Sequence, residues 1–439
     1  MMKIIYNKVA KSNILLVILY VLGIPGTIQH VSKKLKVLHG IFIIIRCFNF
    51  TICMALSIDG LKGRCETLLC FKMIMSYIII DSSVFANWYF MYVRRNAVKG
   101  LLKAIGNTEK KFRYKTEKDK FYVVCFTIVF LVLCVVMLGM TFLLIYSNNS
   151  EADFWFQRFI FKNNIEMSLL PKRIFTFTLI AISQNFKYVV PLLMTFFYIQ
   201  ISLVIRRLII QCMERLDAAS SDALKPMPIE LFIHLYQDIH DTTLMVESVF
   251  SVPIFWLMFC HFMAVFLIFS KVLSLNIFLS DPILKLETSI YGLLQCLAFF
   301  GLTYFASLVS EADERLEQKA NDVAFRLSLR SNTKAHSELL LRFIKSKSRL
   351  VLTAWGVFYF KKKILFASAG VVITYNLLIL QLYEPSFSSF RFCTCSAQRE
   401  VAVLSEYDTD PSISDWNQLM CSENLIEIER YPSSFAEDP

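Results

Sequence analysis

Glycine and proline are scarce in this 439-residue chain, at 12 and 11 residues, which excludes collagen-like repeats and long low-complexity linkers. Charged residues make up only 18%, too few for a chain that stays disordered by self-repulsion. Histidine occurs six times, and His234 and His240 stand six positions apart, off the single stripe that an i, i+4 metal pair would share. With Asp238 and Asp241 they read as the polar face of a helix. None of the twelve cysteines forms a C-x2-C pair. Cys47, Cys53, Cys70, Cys125, Cys134, Cys260 and Cys296 lie within apolar runs, where packing as small hydrophobes is their expected role, and Cys393-Thr394-Cys395 is too tight for an ordinary loop-closing bridge. H-E-x-x-H, G-x-S-x-G, the P-loop and G-x-G-x-x-G are missing. The sequence therefore offers no support for an enzyme, a cofactor or a metal centre.

What the chain has in abundance is apolar length. Hydrophobic residues make up 56%, with 40 phenylalanines. Runs of about twenty apolar residues suffice to cross a hydrocarbon core of roughly 30 Å. They occur at Val37–Ile58, Thr67–Tyr92, Phe121–Tyr146, Ile174–Ile205, Phe250–Phe269, Ser289–Val309 and Ile364–Tyr383. The expected fold is all-α: a polytopic membrane protein with seven transmembrane helices. Lys187 and Pro191 fall inside the overlong fourth span and predict a tilt or kink there.

The net charge of +11 would suggest nucleic acid in a soluble chain. Here its placement sets orientation instead, and no nucleic-acid partner is expected. With the N-terminus inside, segments 1–36, 93–120, 206–249 and 310–363 carry 32 Lys and Arg against 11 on the other side. That asymmetry places the N-terminus in the cytoplasm. It also argues against reading the basic start and the apolar Ile14–Ile24 as a cleaved signal peptide, which would put the basic Arg94–Lys120 loop outside. The sequon Asn148-Asn149-Ser150 then lies outside, open to glycosylation.

The division expected from this topology is a cytoplasmic N-terminal segment 1–36, six spans with cytoplasmic helical extensions over 37–309, a cytoplasmic helical anchor segment 310–363, a seventh span 364–383, and an acidic external tail 384–439. Within 228–249 and 310–363 apolar residues recur at threes and fours, predicting helices that continue the spans into a cytoplasmic bundle. The helical reading extends through His336–Phe360.

Ionisable residues inside spans are costly and mark candidate sites. Arg46 and Asp81 lie at similar depth, which predicts an Arg46–Asp81 ion pair, while Lys72 and Lys187 either snorkel or face a wet cavity. Arginines do not recur every third residue within a span, so a voltage sensor is not indicated. In the seventh span Thr374, Leu377, Leu378 and Gln381 share one helical stripe. Four copies of that stripe would form a hydrophobic constriction beside a ring of amides; ordinary helix packing explains it equally well.

Thr374-Tyr375-Asn376-Leu377-Leu378-Ile379-Leu380-Gln381-Leu382 resembles the closing signature of arthropod gustatory receptors. Thr353-Ala354-Trp355-Gly356-Val357-Phe358 and Leu19-Tyr20-Val21-Leu22-Gly23-Ile24-Pro25 are similar to shorter family segments, so the resemblance covers roughly residues 10–383. Leu382 stands where the family has Phe, and Asn376 is an amide at a normally apolar position. The family ends shortly past the signature, whereas here 384–439 continues as a Ser-rich stretch expected to be disordered, with read-through in the gene as the alternative.

The resemblance implies a plasma-membrane chemoreceptor, a homo- or heterotetrameric ligand-gated cation channel whose partners are a small-molecule tastant, permeating cations, the lipid bilayer and related subunits. It implies a pore lined by the seventh span, with Gln381 as gate or filter and Thr374, Tyr375, Leu377 and Leu378 beside it. The ligand would lie in the outer half, where Tyr77, Tyr146, Gln184, His261, Tyr291 and Gln295 are the polar and aromatic candidates. A G-protein-coupled receptor and a transporter are the rivals. Against the first stand the internal N-terminus and the missing Asp-Arg-Tyr and N-P-x-x-Y. Against the second stands the lack of a repeated pair of broken helices.

Overall fold

A computed structural model describes residues 33–64, 68–112, 168–221, 229–273, 282–329, 333–361 and 366–375, with Lys363, Leu377, Leu378 and isolated positions between 132 and 159. The chain divides after Asn376 into two units, and the second is described only at Leu377 and Leu378. Most of 1–36, most of the third span, Lys72's side chain, Asn148, Gln381 and the tail 384–439 lie outside the described residues.

In chain order the elements are α1 (Lys33–Arg64), α2 (Leu68–Val93), α3 (Arg95–Lys111), α4 (Leu169–Gln184), a π-helical turn (Asn185–Val189), α5 (Val190–Ser221), α6 (Ile229–Leu273), α7 (Pro282–Ser328) and α8 (Lys334–Ser346). A hairpin of β1 (Thr353–Ala354) and β2 (Phe358–Tyr359) follows, then a short apolar helix α9 (Phe366–Tyr375). Lys36–Asp59, Leu169–Asp217, Ile229–Phe269 and Leu286–Ser328 are each long and apolar enough to cross a bilayer, and α2 carries the second predicted span. The protein is a helical, multi-pass membrane protein. Exposed Val37, Ile44 and Phe48 on α1 are what a lipid-facing stripe requires.

The largest core does not sit in the spans alone. It joins Val98, Leu101 and Ile105 of α3, Ile209, Cys212 and Leu216 of α5, Phe232, Tyr236 and Ile239 of α6, Leu316, Ala320 and Val323 of α7, and Leu340 and Ile344 of α8. The α6, α7 and α8 members fall within 228–249 and 310–363, where the sequence reads as helix; α3 joins them without having been expected. On α3 the buried residues Val98, Leu101, Ile105 and Thr108 follow the three–four spacing of an amphipathic helix. The α3 C-terminus is closed by Arg215, which donates to the Phe112 carbonyl at 2.8 Å; a cation there also suits the helix dipole.

Two breaks in helical regularity have identifiable causes. Pro191 has no N–H, so the Lys187 carbonyl loses its partner one turn on. The chain answers with the π turn, in which the Val190 N–H reaches back to the Asn185 carbonyl. Likewise Pro253, inside α6, frees the carbonyl of Val249. Arg94, at the α2–α3 corner, takes that acceptor at 3.1 Å and the adjacent Ser248 carbonyl at 2.6 Å.

The expected helix through His336–Phe360 ends at Ser346. Residues 347–352 run extended into the hairpin, which pairs Thr353 with Tyr359 and Ala354 with Phe358. The reason is visible in the residues: Leu350, Leu352 and Ala354 are buried and the positions between them are not, a period of two rather than three and four. Trp355 and Gly356 turn the hairpin at φ 54° and 67°, the left-handed pair that tight hairpins use. Glycine tolerates this freely; tryptophan does so at a steric cost.

Candidate functional site

A polar layer gathers around the π turn. Lys187 donates to Asp81 of α2, with nitrogen and carboxylate oxygen 3.1 Å apart and both side chains about 12–13% exposed. Its ammonium also lies 4.4 Å from the centre of the Tyr77 ring. Tyr188 packs against Tyr291 of α7 with ring centroids 3.8 Å apart. One step outward in sequence, Gln184 donates to Glu287 at 2.8 Å and accepts from Thr141 at 2.5 Å. On the α6 side, His261 is fully buried between Thr195 at 2.7 Å and Gln295 at 2.5 Å. With the Gln295 oxygen as acceptor, Nδ1 donates to it and Nε2 accepts from the Thr195 hydroxyl. The apolar floor is Ile80, Val84, Cys260, Ala264, Leu267 and Ile268, with Tyr77, Tyr188 and Tyr291 packed on it.

Five of the six pocket residues expected from the sequence, Tyr77, Gln184, His261, Tyr291 and Gln295, therefore fall in or beside this layer. Tyr146 lies apart, stacked on Phe142 at 4.2 Å and under Arg173. Tyr188, Glu287 and Thr195 were not anticipated. For Tyr188 the signal was the cluster Gln184-Asn185-Phe186-Lys187-Tyr188, a polar interruption of an apolar span just before a proline; Glu287 and Thr195 had none.

The expected Arg46–Asp81 ion pair does not form, because Lys187 occupies the Asp81 carboxylate. Arg46 is only 3% exposed, and its guanidinium lies 4.6 Å from the centre of the Phe186 ring. Its Nε has no hydrogen-bond partner. Asp81 acts on Arg46 only through space. A cation–π contact gives up to about 2 kcal/mol, whereas burying an ion costs several, so Phe186 alone does not balance this charge.

The family model described as 7tm chemosensory receptor matches residues 13–383. The chain belongs to that receptor family. Two structures of the insect olfactory receptor OR5 from Machilis hrabei, one in complex with eugenol, superpose on it with a TM-score of 0.65. Identity is 15%, over 86% of this chain and 99% of theirs, a likeness that shows the fold. No curated protein matches the chain. The chemosensory receptor is thus a multi-pass protein of the cell membrane.

In this receptor a second polar centre ties the extensions to the hairpin. Asp313 of α7, 1% exposed, accepts from Tyr236 at 2.8 Å, from Lys347 at 2.9 Å and from the Leu350 N–H at 3.1 Å. Burial first, then the Asp313 charge, pushes the Tyr236 hydroxyl well above its ordinary range, so it remains a donor. Glu247 of α6 accepts from both the N–H and the hydroxyl of Thr353. The Trp355 N–H bonds the hydroxyl and carbonyl of Ser251. The hairpin is thereby clamped to α6 within two turns of Pro253.

Beyond the hairpin, α9 leaves only Val372 buried among Phe366–Tyr375. Thr374, Tyr375, Leu377 and Leu378 are all exposed, and Gln381 is outside the described residues.

Proposed function

We propose that this receptor is a subunit of a tastant-gated, non-selective cation channel of the gustatory type, assembled as a homo- or heterotetramer with related subunits in the plasma membrane. The observation that carries the reading is α9. A helix that ends on the first two signature residues, Thr374 and Tyr375, leaves most of its described positions exposed, including the small residues Ala367 and Gly370. Neighbouring copies would cover one side and leave the Thr374, Leu377, Leu378 and Gln381 stripe facing a central pathway, where leucines gate by dewetting and amides partly replace an ion's water. The π-turn layer, with Tyr77, Gln184, His261, Tyr291 and Gln295, supplies the tastant site, and Tyr146 stands apart from it. The basic segments, the α3–α8 bundle included, face the cytoplasm, and 384–439 lies outside.

A ligand opens such a channel only by binding its open state better than its closed one. Whole-cell recording with a tastant panel, in cells expressing this chain alone or with related subunits, should give ligand-evoked cation currents. Leu378→Ser should raise current without ligand by wetting the constriction, and Gln381→Ala should change relative cation permeability. Responses that vanish on blocking G proteins, or an N-terminal epitope reachable from outside intact cells, would overturn the reading.

A further inference from the structure

Between α1, α2 and the π turn lies a narrow cleft lined by Arg46, Asn49, Phe50, Cys53, Asp81, Val84, Phe186 and Lys187. Its free interior holds about one water-sized body. Three formal charges meet here, and two cancel: Lys187 and Asp81 pair at 3.1 Å. Arg46 is left over. It is 97% removed from solvent by its 3% exposure, its Nε is unpartnered, and the cleft wall offers it an aromatic face but no second carboxylate. Cys53 is already engaged with Ser183 at 3.4 Å.

From this geometry we infer that the cleft binds a single monovalent anion of about halide size, held by the Arg46 guanidinium and completed by the Asn49 amide. The assignment is independent of the channel reading. An isolated buried guanidinium requires a counter-charge, and its N–H groups form a fork suited to an anion. The Lys187–Asp81 pair beside it is neutral in sum, so with Arg46 the cleft keeps one net positive charge. The small cleft excludes bulky organic anions. Chloride, bromide and formate share the required chemistry, and a polyhydroxylated carboxylate such as gluconate does not fit.

A bound anion stabilises the folded state in proportion to its occupancy, so the test reads stability rather than current. The full-length receptor is purified in detergent at a constant ionic strength of about 0.15 M. Sodium gluconate is replaced stepwise by sodium chloride, bromide or formate while the unfolding midpoint is followed by tryptophan fluorescence. The wild type should show a saturable rise with chloride and bromide; a response to formate as well would identify small carboxylates as a second source of the ligand. Arg46→Met should abolish the dependence, and exposed Arg95→Met should keep it. Should Arg46→Met fail to fold, Asp81→Asn serves instead: it unmasks the Lys187 charge and should lower the half-saturating chloride concentration several-fold. A wild type indifferent to the replacement of gluconate, persistence in Arg46→Met, or unchanged half-saturation in Asp81→Asn would each overturn the assignment.

Discussion

Replacing Asp313 strands three donors at once, the Lys347 ammonium, the Tyr236 hydroxyl and the Leu350 N–H. Losing one partner of a buried ion pair costs about 3–5 kcal/mol. Asp313→Ala should therefore lower the thermal midpoint sharply and empty the cell surface of receptor. Asp313→Leu with Lys347→Met should recover much of the loss, since no charge is then left buried; a double variant as unstable as the single would show that the network matters for shape rather than charge. Cys212 is a quieter case. Burial raises its thiol from an ordinary 9.0 to about 12, so the fold holds the proton that the unfolded chain releases. Its contribution is fully present below pH 9 and is lost as pH rises through about 12. Cys212→Ala should flatten that alkaline decline in stability, and maleimide should leave Cys212 unlabelled at neutral pH in the folded receptor. At this scale the sequence named the right residues and mispaired them. Asp81 was legible as a buried charge, yet the choice between Arg46 and Lys187 depends on how the π turn rotates Lys187 about the helix axis.

Among the elements, α6 and α7 pack tightly at Gly292, where an added Cβ would stand 2.7 Å from the Ile268 Cγ2 methyl. Because Tyr291 is the next residue, that contact sets the back wall of the π-turn layer. Gly292→Ala should destabilise by about 1–3 kcal/mol through overpacking and weaken the tastant response. Ile268→Ala should restore both, as seen in midpoint and in concentration–response curves. The long helices were readable because apolar periodicity persists over many turns. The hairpin was not: in Leu350–Ala354 a period of two spans too few residues to stand out beside α8, and a tryptophan at positive φ is a poor turn signal. Pro191 announced irregularity, whereas Pro253 did not, and the partner that meets it, Arg94, comes from 155 residues away along the chain.

For the whole molecule, the charge bias predicts that Asn148 faces outward. Asn148→Gln should abolish an endoglycosidase-sensitive mass shift on gels; a wild-type band with no such shift would count against that placement. Fold class was legible because it rests on summed hydrophobicity, a quantity that tolerates local error. The candidate site was legible only as a list of residue types at outer depth. What assembles Tyr77, Tyr188 and Tyr291 is the crossing of three helices, and no local pattern encodes a crossing.

The length of α6 carries a mechanical consequence. With 45 residues it is about 68 Å long at 1.5 Å per residue, more than twice the hydrocarbon thickness. Pro253 divides it into arms of about 30 and 36 Å, with His261 on one and Glu247 and the hairpin clamp near the fulcrum. A tilt of about 5° at such a pivot sweeps either tip by roughly 3 Å, more than enough to break a hydrogen bond. The receptor thus has a built-in lever. Its short side borders the π-turn layer through His261, and its fulcrum grips the segment leading into α9.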